Sequence, residues 1–168
     1  MAMADFGGAG GGHMATPVPT PDGVAVTAQW TVHRCKSYVR IVQHWLDMDM
    51  APADAFDVLD NTHIPLIMAI MAKESACIED ATDGLSYGLM QVIPRDWLPN
   101  AKHNNTNVLA GMYILDGCLE LAEGDVLLAL AYYNCGVDKV ERNVCGPRGG
   151  IHYAEDVLNF WLPLFNDM

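Results

Sequence analysis

Residues 64–75 read IPLIMAIMAKES, and this stretch decides the fold. Pro65 suits the first turn of a helix, where a backbone N–H has no helical partner to lose. The run from Leu66 to Ala72 is apolar on every side, which predicts a helix buried at the centre of the domain. Glu74 then lies in the last turn of that helix. Burial and the negative end of the helix dipole both disfavour a charged carboxylate, so we expect a raised pKa for Glu74.

A carboxylic acid that stays protonated near neutral pH can donate its proton to a glycosidic oxygen. A Glu at the end of an arbitrary helix is usually a solvated surface residue, so Glu74 alone does not decide the function. The loop that follows contains Gly88-Leu89-Met90-Gln91. Gly88 permits close backbone approach, and the Gln91 amide can both donate to and accept from sugar groups. We therefore interpret Glu74 as a candidate general acid and Gln91 as a candidate substrate contact.

The rest of the sequence predicts a mainly α domain. Apolar residues at helical spacing predict further helices over residues 27–48, 51–60, 94–98, 105–122, 125–134, 137–143 and 151–164. Residues 79–93 are more polar and predict an irregular loop or a small β-hairpin beside the glutamate helix. Residues 1–24 resemble a tag or linker and predict a disordered arm, which leaves residues 25–168 as one domain.

Composition narrows the classes of function. The net charge is −12 and the isoelectric point about 4.6, so a nucleic-acid partner is not expected. An anionic polymer would have to be bound through its neutral groups, because long-range attraction is missing. The longest apolar run, Ile64 to Ala72, is half the length of a membrane span. Residues 1–14 lack the basic start and apolar centre of a secretory signal peptide.

The cysteines and histidines indicate no metal site or cofactor. The five cysteines have irregular spacing, so buried thiols are the expectation. A single bridge that closes the Cys135–Cys145 loop is the alternative. The histidines show no metal-ligand spacing. Cys77 could act as a thiol nucleophile with a distant His, but nothing near it in the sequence supports that role.

Several motifs occur in a recognisable order. They are Glu74-Ser75, Ser86 with Gly88-Leu89-Met90-Gln91, Asn107 to Leu115 (NVLAGMYIL), Ala129 to Gly136 (ALAYYNCG) and Tyr153. In this order they resemble the soluble lytic transglycosylase (SLT) domain, which is similar in fold to goose-type lysozyme. The resemblance covers about residues 60–160. It implies a lysozyme-like helical domain that cuts the β-1,4 bond between N-acetylmuramic acid and N-acetylglucosamine in peptidoglycan.

The resemblance also implies roles for particular residues. Glu74 matches the single catalytic glutamate, which acts first as acid and then as base and leaves a 1,6-anhydromuramoyl end. Met90 and Gln91 match residues of the substrate groove, Tyr133 a tyrosine that hydrogen-bonds near the acid, and Asn134 its structural neighbour. The remaining candidates for substrate binding are Ser75, Asp83, Ser86 and Tyr153. Such an enzyme would act in the periplasm, cell wall or virion, and we expect a monomer.

Two departures from the family pattern keep alternatives open. Thr82-Asp83 stands where the family often has Ser, so Asp83 could hold a water and favour hydrolysis, as in a muramidase. Tyr132 and Cys135 replace the small residues usual in that motif. A phage peptidoglycan endopeptidase and a non-catalytic wall-binding module are more remote readings. The size of the chain fits a phage lysin, a virion-borne enzyme or the catalytic domain of a longer protein.

Overall fold

The computed structural model describes residues 21–48, 55–94 and 103–167. Its helices are α1 (Pro21–Lys36), α2 (Val39–Asp47), α3 (Ile64–Ser75), α4 (Asn104–Leu121), α5 (Val126–Cys135), α6 (Val137–Glu141) and α7 (Ile151–Asp156). Two short 3-10 turns, Asn61–His63 and Leu162–Leu164, and a π-helical segment, Val157–Trp161, complete the regular structure of this part. The predicted mainly α class is confirmed.

Helix α3 is the central element, and its predicted bounds are confirmed. Its residues from Leu66 to Ala72 are all buried, as are Glu74 and Ser75. Helices α1 and α2 and the C-terminal π-helical segment pack against it, while α5 packs on both α4 and α7. A helix without a polar face can be stable only if neighbours cover every side. The surrounding helices therefore remove the last turn of α3 from water.

The two ends of α3 are fixed by local hydrogen bonds. Before the helix, the side chain of Asp60 accepts from the backbone N–H of Thr62 at 2.8 Å. After it, Ala76 adopts a left-handed conformation with φ 51°, and its N–H donates to the carbonyl of Ala72 at 3.0 Å. A left-handed residue is a common way to stop a helix. This stop fixes Glu74 in the final turn.

The polar stretch after α3 forms the small irregular element that the sequence predicts. Tyr87 makes isolated antiparallel bridges with Thr82 and with Val92. The Tyr87 N–H donates to the carbonyl of Val92 at 3.0 Å, and the Val92 N–H donates back at 3.0 Å. The loop is therefore a tight double turn that lies beside the end of α3.

Some predicted helices are wrong in their extent. The single helix over residues 27–48 is two helices, because Ser37 Oγ donates to the carbonyl of Arg34 at 2.7 Å and the chain turns there. Helix α1 also begins earlier than predicted, at Pro21 instead of residue 27. Residues 55–60 are not helical. Other parts of these predictions, residues 1–20, 51–54 and 95–98, lie outside the described residues.

The expectation of buried thiols is wrong for four of the five cysteines. Disulfides join Cys35 to Cys77, with 5.3 Å between the Cα atoms, and Cys135 to Cys145, with 5.7 Å. Only Cys118 is a free buried thiol, and burial raises its pKa to about 12. The 42-residue separation of the first pair gives no local pattern, because only the packing of α1 on α3 brings those two sulfurs together.

Candidate active site

Glu74 lies in the last turn of α3 with 8% of its surface exposed. Burial has the largest influence on this carboxyl and raises its pKa from the ordinary 4.5 to about 8. The approach of the Tyr153 hydroxyl and the charge of Lys73 lower the pKa, while the charge of Asp83 adds to the rise. The raised pKa that the sequence predicts is therefore present, and the carboxyl is largely protonated at neutral pH.

Tyr153, in α7, brings its hydroxyl towards the Glu74 carboxyl. Burial and then the Glu74 charge raise the pKa of Tyr153 well above its usual value. The two groups influence each other, yet within the described residues neither Glu74 Oε1 nor Tyr153 Oη has a hydrogen-bond partner of normal geometry. Buried polar atoms are usually paired, since an unpaired one destabilises the fold. A buried unpaired oxygen on each of these two interacting residues is a candidate position for a ligand atom.

Lys73 connects α3 to α7 next to this pair. Its Nζ donates to Asp156 Oδ2 at 2.6 Å and lies 5.9 Å from the centroid of the Tyr153 ring. The sequence analysis did not identify Lys73 or Asp156. These residues are 83 positions apart, so no local pattern could have paired them. Their ion pair holds the Tyr153 side of α7 against the end of α3.

Met90 is anchored at both of its backbone polar groups. Its carbonyl accepts from Tyr133 Oη at 2.9 Å, and its N–H donates to Asn107 Oδ1 at 2.9 Å. A Cβ placed on Gly111 would lie 2.5 Å from the Met90 sulfur, so only glycine allows this approach of α4 to the loop. Burial and then the Glu74 charge raise the pKa of Tyr133. Tyr133 therefore lies near the acid, as the resemblance implies, but bonds to the loop backbone.

The Gln91 side chain forms hydrogen bonds only with other residues of the loop in the described structure. Its amide nitrogen donates to the carbonyls of Ala81 at 2.9 Å and Gly88 at 2.8 Å, and its oxygen accepts from Ser86 Oγ at 2.8 Å. The side chain is buried, with both ends of the amide in use. The geometry thus gives Gln91 a part in shaping the loop, where the sequence predicted a contact to sugar.

Asp83 is exposed at the edge of the same loop. Its Oδ1 accepts from the backbone N–H groups of Leu85 at 2.9 Å and Ser86 at 2.7 Å, and Ser86 Oγ lies 3.0 Å away. The hydrogen bond from the Ser86 backbone is the main reason that the pKa of Asp83 is lowered. Asp83 is therefore ionised at neutral pH, in contrast to Glu74.

The two remaining predicted residues act as ties between elements. Ser75 Oγ donates towards the carbonyls of Met71 at 3.1 Å and Leu89 at 2.8 Å, which joins α3 to the loop. Asn134 Oδ1 accepts from the N–H of Gly150 at 3.0 Å, which fixes the start of α7. Asn134 thus contributes through the placement of α7.

The structure gathers most of the predicted residues around the end of α3. The charge of Glu74 raises the pKa of both Tyr133 and Tyr153, and the Tyr153 hydroxyl lowers the pKa of Glu74. The loop residues lie on one side of this group. Asn107 is the main residue whose role was missed. It is buried on α4 and also donates from Nδ2 to the carbonyl of Tyr87 at 2.7 Å. A polar residue on the buried face of an amphipathic helix was the available signal.

Searches over the described residues add two negative observations. Residues 21–48, 55–94 and 103–167 contain no group of three His, Cys, Asp or Glu side chains placed to hold a metal ion. In that same part of the chain, none of the helices has the length and apolar character to cross a membrane.

The described residues form a mainly helical, lysozyme-like domain with a buried carboxyl in the last turn of its central helix. The model of the transglycosylase SLT domain matches residues 56–148. The chain belongs to this family, and membership implies a transglycosylase-like activity that degrades peptidoglycan. Searches of curated proteins and of solved structures gave no match.

Proposed function

We propose that this protein cleaves the β-1,4 bond between N-acetylmuramic acid and N-acetylglucosamine, with Glu74 as its single general acid and base. The observation that carries the proposal is the buried Glu74 carboxyl, whose pKa is raised to about 8. Such a group holds a proton at neutral pH and can release it into the scissile bond.

The reaction needs no second carboxylate. Glu74 donates its proton to the glycosidic oxygen as the bond from that oxygen to C1 of the muramoyl sugar breaks. The resulting carboxylate then takes the proton of the muramoyl C6 hydroxyl, whose oxygen bonds to C1 and closes a 1,6-anhydro ring. Atoms and charge balance, and the substrate supplies its own nucleophile, unlike the usual two-carboxylate scheme.

Tyr153 is the residue best placed to assist this cycle. Its hydroxyl lowers the pKa of Glu74, which means that it favours the ionised form of the carboxyl. That form exists only after the proton has been donated, so the contact stabilises the middle of the reaction. The two unpaired oxygens of Glu74 and Tyr153 would then face the glycosidic oxygen.

The loop residues support the site in two ways under this proposal. Ser75, Ser86 and Gln91 hold the loop in shape through internal hydrogen bonds. Met90 and the exposed edge of the loop would line the sugar groove, with Tyr133 fixing the Met90 carbonyl. The chain carries a net charge of −12, so contacts to neutral sugar groups would provide most of the affinity for the wall glycan.

A hydrolytic muramidase is the second candidate, and Asp83 is the observation that favours it. This carboxylate is ionised and its charge reaches Glu74, so it could orient a water for attack at C1. The product would be a reducing muramic acid end. Asp83→Asn separates the two: a lyase keeps most of its activity, whereas a hydrolase that depends on this water loses it.

An endopeptidase with a thiol nucleophile gains no support from the cysteines. Cys77 is in a disulfide, and Cys118 is buried with its pKa raised to about 12, so neither offers a thiolate at neutral pH. A metal-dependent peptidase would be inactivated by a chelator. A non-catalytic wall-binding module would keep its binding and show no cleavage with or without Glu74.

The deciding experiment digests purified peptidoglycan and identifies the new glycan ends by mass spectrometry. We expect 1,6-anhydromuramoyl ends with the native protein and a loss of roughly a thousandfold or more with Glu74→Gln. Circular dichroism should show that the variant is folded. Reducing muramic acid ends would establish the muramidase, and intact glycan with cut peptides would refute both forms of the proposal. The site of action would be the periplasm, cell wall or virion, and gel filtration would test the expected monomer.

A further inference from the structure

Helices α1 and α2 precede the matched family region, yet they are joined to the segment that follows Glu74. Three links meet there. Arg34 Nη1 donates to the carbonyl of Ala76 at 3.1 Å, Cys35 is bonded to Cys77, and Tyr38 Oη donates to Glu79 Oε1 at 2.7 Å. The end of α1 and the residue that precedes α2 thus hold the short segment just after the candidate acid. We call Arg34, Cys35 and Tyr38 the brace.

The segment held by the brace has an unusual backbone. Ala76 and Cys77 both lie in the left-handed region, with φ 51° and 56°. Residues with a Cβ adopt this conformation rarely because it is strained, and two in succession need support from their surroundings. The Cys77 N–H reaches the carbonyl of Met71 only at 3.4 Å, so the local hydrogen bonds are weak support.

We propose that the Cys35–Cys77 disulfide is a redox-dependent positioning element for Glu74. In the oxidised protein it holds the left-handed turn, and with it the last turn of α3, so that the carboxyl stays dry beside Tyr153. In the reduced protein the turn relaxes, water reaches the carboxyl, and cleavage is lost. This inference rests on the proposed role of Glu74.

The redox step involves two electrons and two protons. One thiolate of a low-molecular-weight thiol attacks a sulfur of the bridge, and a second thiol releases the mixed disulfide. Cys35 and Cys77 end as thiols and the reductant ends as its disulfide. Both cysteines are fully buried in the folded protein, so attack requires local opening. The state of the bridge is therefore set mainly while the chain folds, by the thiol conditions of that compartment.

The test compares two bridge deletions made in otherwise native protein. Cys35→Ala with Cys77→Ala removes the proposed positioning element, and Cys135→Ala with Cys145→Ala is the matched control that removes a bridge elsewhere. Activity is measured on soluble uncrosslinked glycan strands from pH 4 to 10, well below each melting temperature. The first variant should lose roughly a hundredfold in kcat, with KM changed far less, because the acid is misplaced.

The pH profile distinguishes positioning from simple stability. A protonated Glu74 is needed, so activity falls as pH rises through its pKa. Hydration moves that pKa from about 8 towards 4.5, so the alkaline limb of the first variant should move to lower pH while the control keeps its limb. An NMR titration of protein labelled with [δ-¹³C]glutamate measures the same pKa without an activity assay. The Glu74→Gln variant identifies which signal belongs to Glu74.

Each failure has a separate meaning. If the native oxidised protein does not cleave glycan, the proposed function fails. If it does, but both bridge deletions lower the melting temperature and leave the limb and the labelled pKa unmoved, the bridge is only structural and this inference is overturned. Should the double Cys35 and Cys77 variant not fold, Arg34→Met removes one link of the brace and keeps the bridge. It should move the limb in the same direction by a smaller amount, and no movement would also overturn the inference.

Discussion

Two buried carboxyl groups on the central helices have opposite surroundings. Asp116 in α4 accepts three backbone N–H groups, from Asp57 at 2.9 Å, Val58 at 2.9 Å and Leu59 at 2.8 Å. Glu74 in α3 is buried to a similar degree, with 8% exposed against 6%, but its Oε1 has no partner of normal geometry in the described structure. One carboxyl accepts from three backbone donors, whereas the other has a buried oxygen without a partner in the described structure.

The difference separates a structural carboxyl from a reactive one. The three backbone N–H groups donate to Asp116 rather than to helical carbonyls, and residues 55–60 form no helix. Asp116 thereby fixes the chain that leads into α3. Glu74 Oε1 gains no such compensation, so burial favours the protonated form of the carboxyl. A buried acid without donors destabilises the fold, and this is the property that acid catalysis at neutral pH requires.

The largest effect on stability should follow from breaking the Asp116 side of the comparison. Asp116→Ala leaves three backbone donors without their acceptor and should lower the free energy of unfolding by about 3 kcal/mol. Asp116→Asn keeps one acceptor oxygen and should lose about 1 kcal/mol. Urea denaturation measures both. In neither variant should the alkaline limb of activity move, and a shifted limb would mean that Asp116 takes part in tuning Glu74.

A substitution at Glu74 should have the opposite effect on stability: it should raise the free energy of unfolding at high pH. The folded-state pKa of Glu74 is raised above 4.5, so the folded protein binds more protons and loses stability as pH rises from 4.5 to about 8. Glu74→Gln removes that titration and should therefore stabilise the fold at pH 9, with little change at pH 4. Unfolding by urea at both pH values measures this. Equal effects at the two pH values would contradict the raised pKa.

Much of this comparison could be predicted from the sequence, and the reasons are physical. The apolar run from Leu66 to Ala72 fixes α3 as a central helix, which places Glu74 in dry surroundings. The order of the motifs along the chain identifies Tyr133 and Tyr153 as candidate site residues. These inferences depend on local periodicity and on short spacings, which survive in a linear sequence.

The unpredicted part depends on contacts between distant segments. Cys35 with Cys77 and Lys73 with Asp156 are paired only once helices pack, so their sequence spacing carries no signal. The internal hydrogen bonds of Gln91 were out of reach for a related reason. Its amide looks free for sugar in the sequence, but the loop closes on itself and uses both ends of that amide. Whether the hydrogen-bonding groups of a side chain already have partners depends on the folded loop, not on the local sequence.

Tyr153→Phe should sharpen the comparison by removing a hydroxyl that approaches Glu74. The hydroxyl lowers the pKa of Glu74, so its loss should raise that pKa and move the alkaline limb to higher pH. The carboxylate formed during the reaction also loses support, and kcat should fall roughly tenfold. Tyr132→Phe is the matched control, because burial and the charge of Glu141 are the main influences on the pKa of Tyr132. The hypothesis fails if both variants shift the limb equally.

Lys73→Met should give the smallest effect. The Lys73 charge lowers the pKa of Glu74, so its removal should move the alkaline limb upward by a few tenths of a pH unit. The side chain is 29% exposed and its partner Asp156 is 63% exposed, so solvent screens the interaction and stability should change by less than about 1 kcal/mol.

The matched control Lys73→Arg keeps the charge and should keep the limb. Salt offers an independent check, because screening acts on the Lys73 charge but hardly on the fixed donors around Asp116. Raising the ionic strength should therefore move the native limb towards that of Lys73→Met and leave the variant unmoved. If neither the substitution nor the salt moves the alkaline limb of the pH profile, the Lys73 charge does not affect the pKa of Glu74 and burial alone raises it.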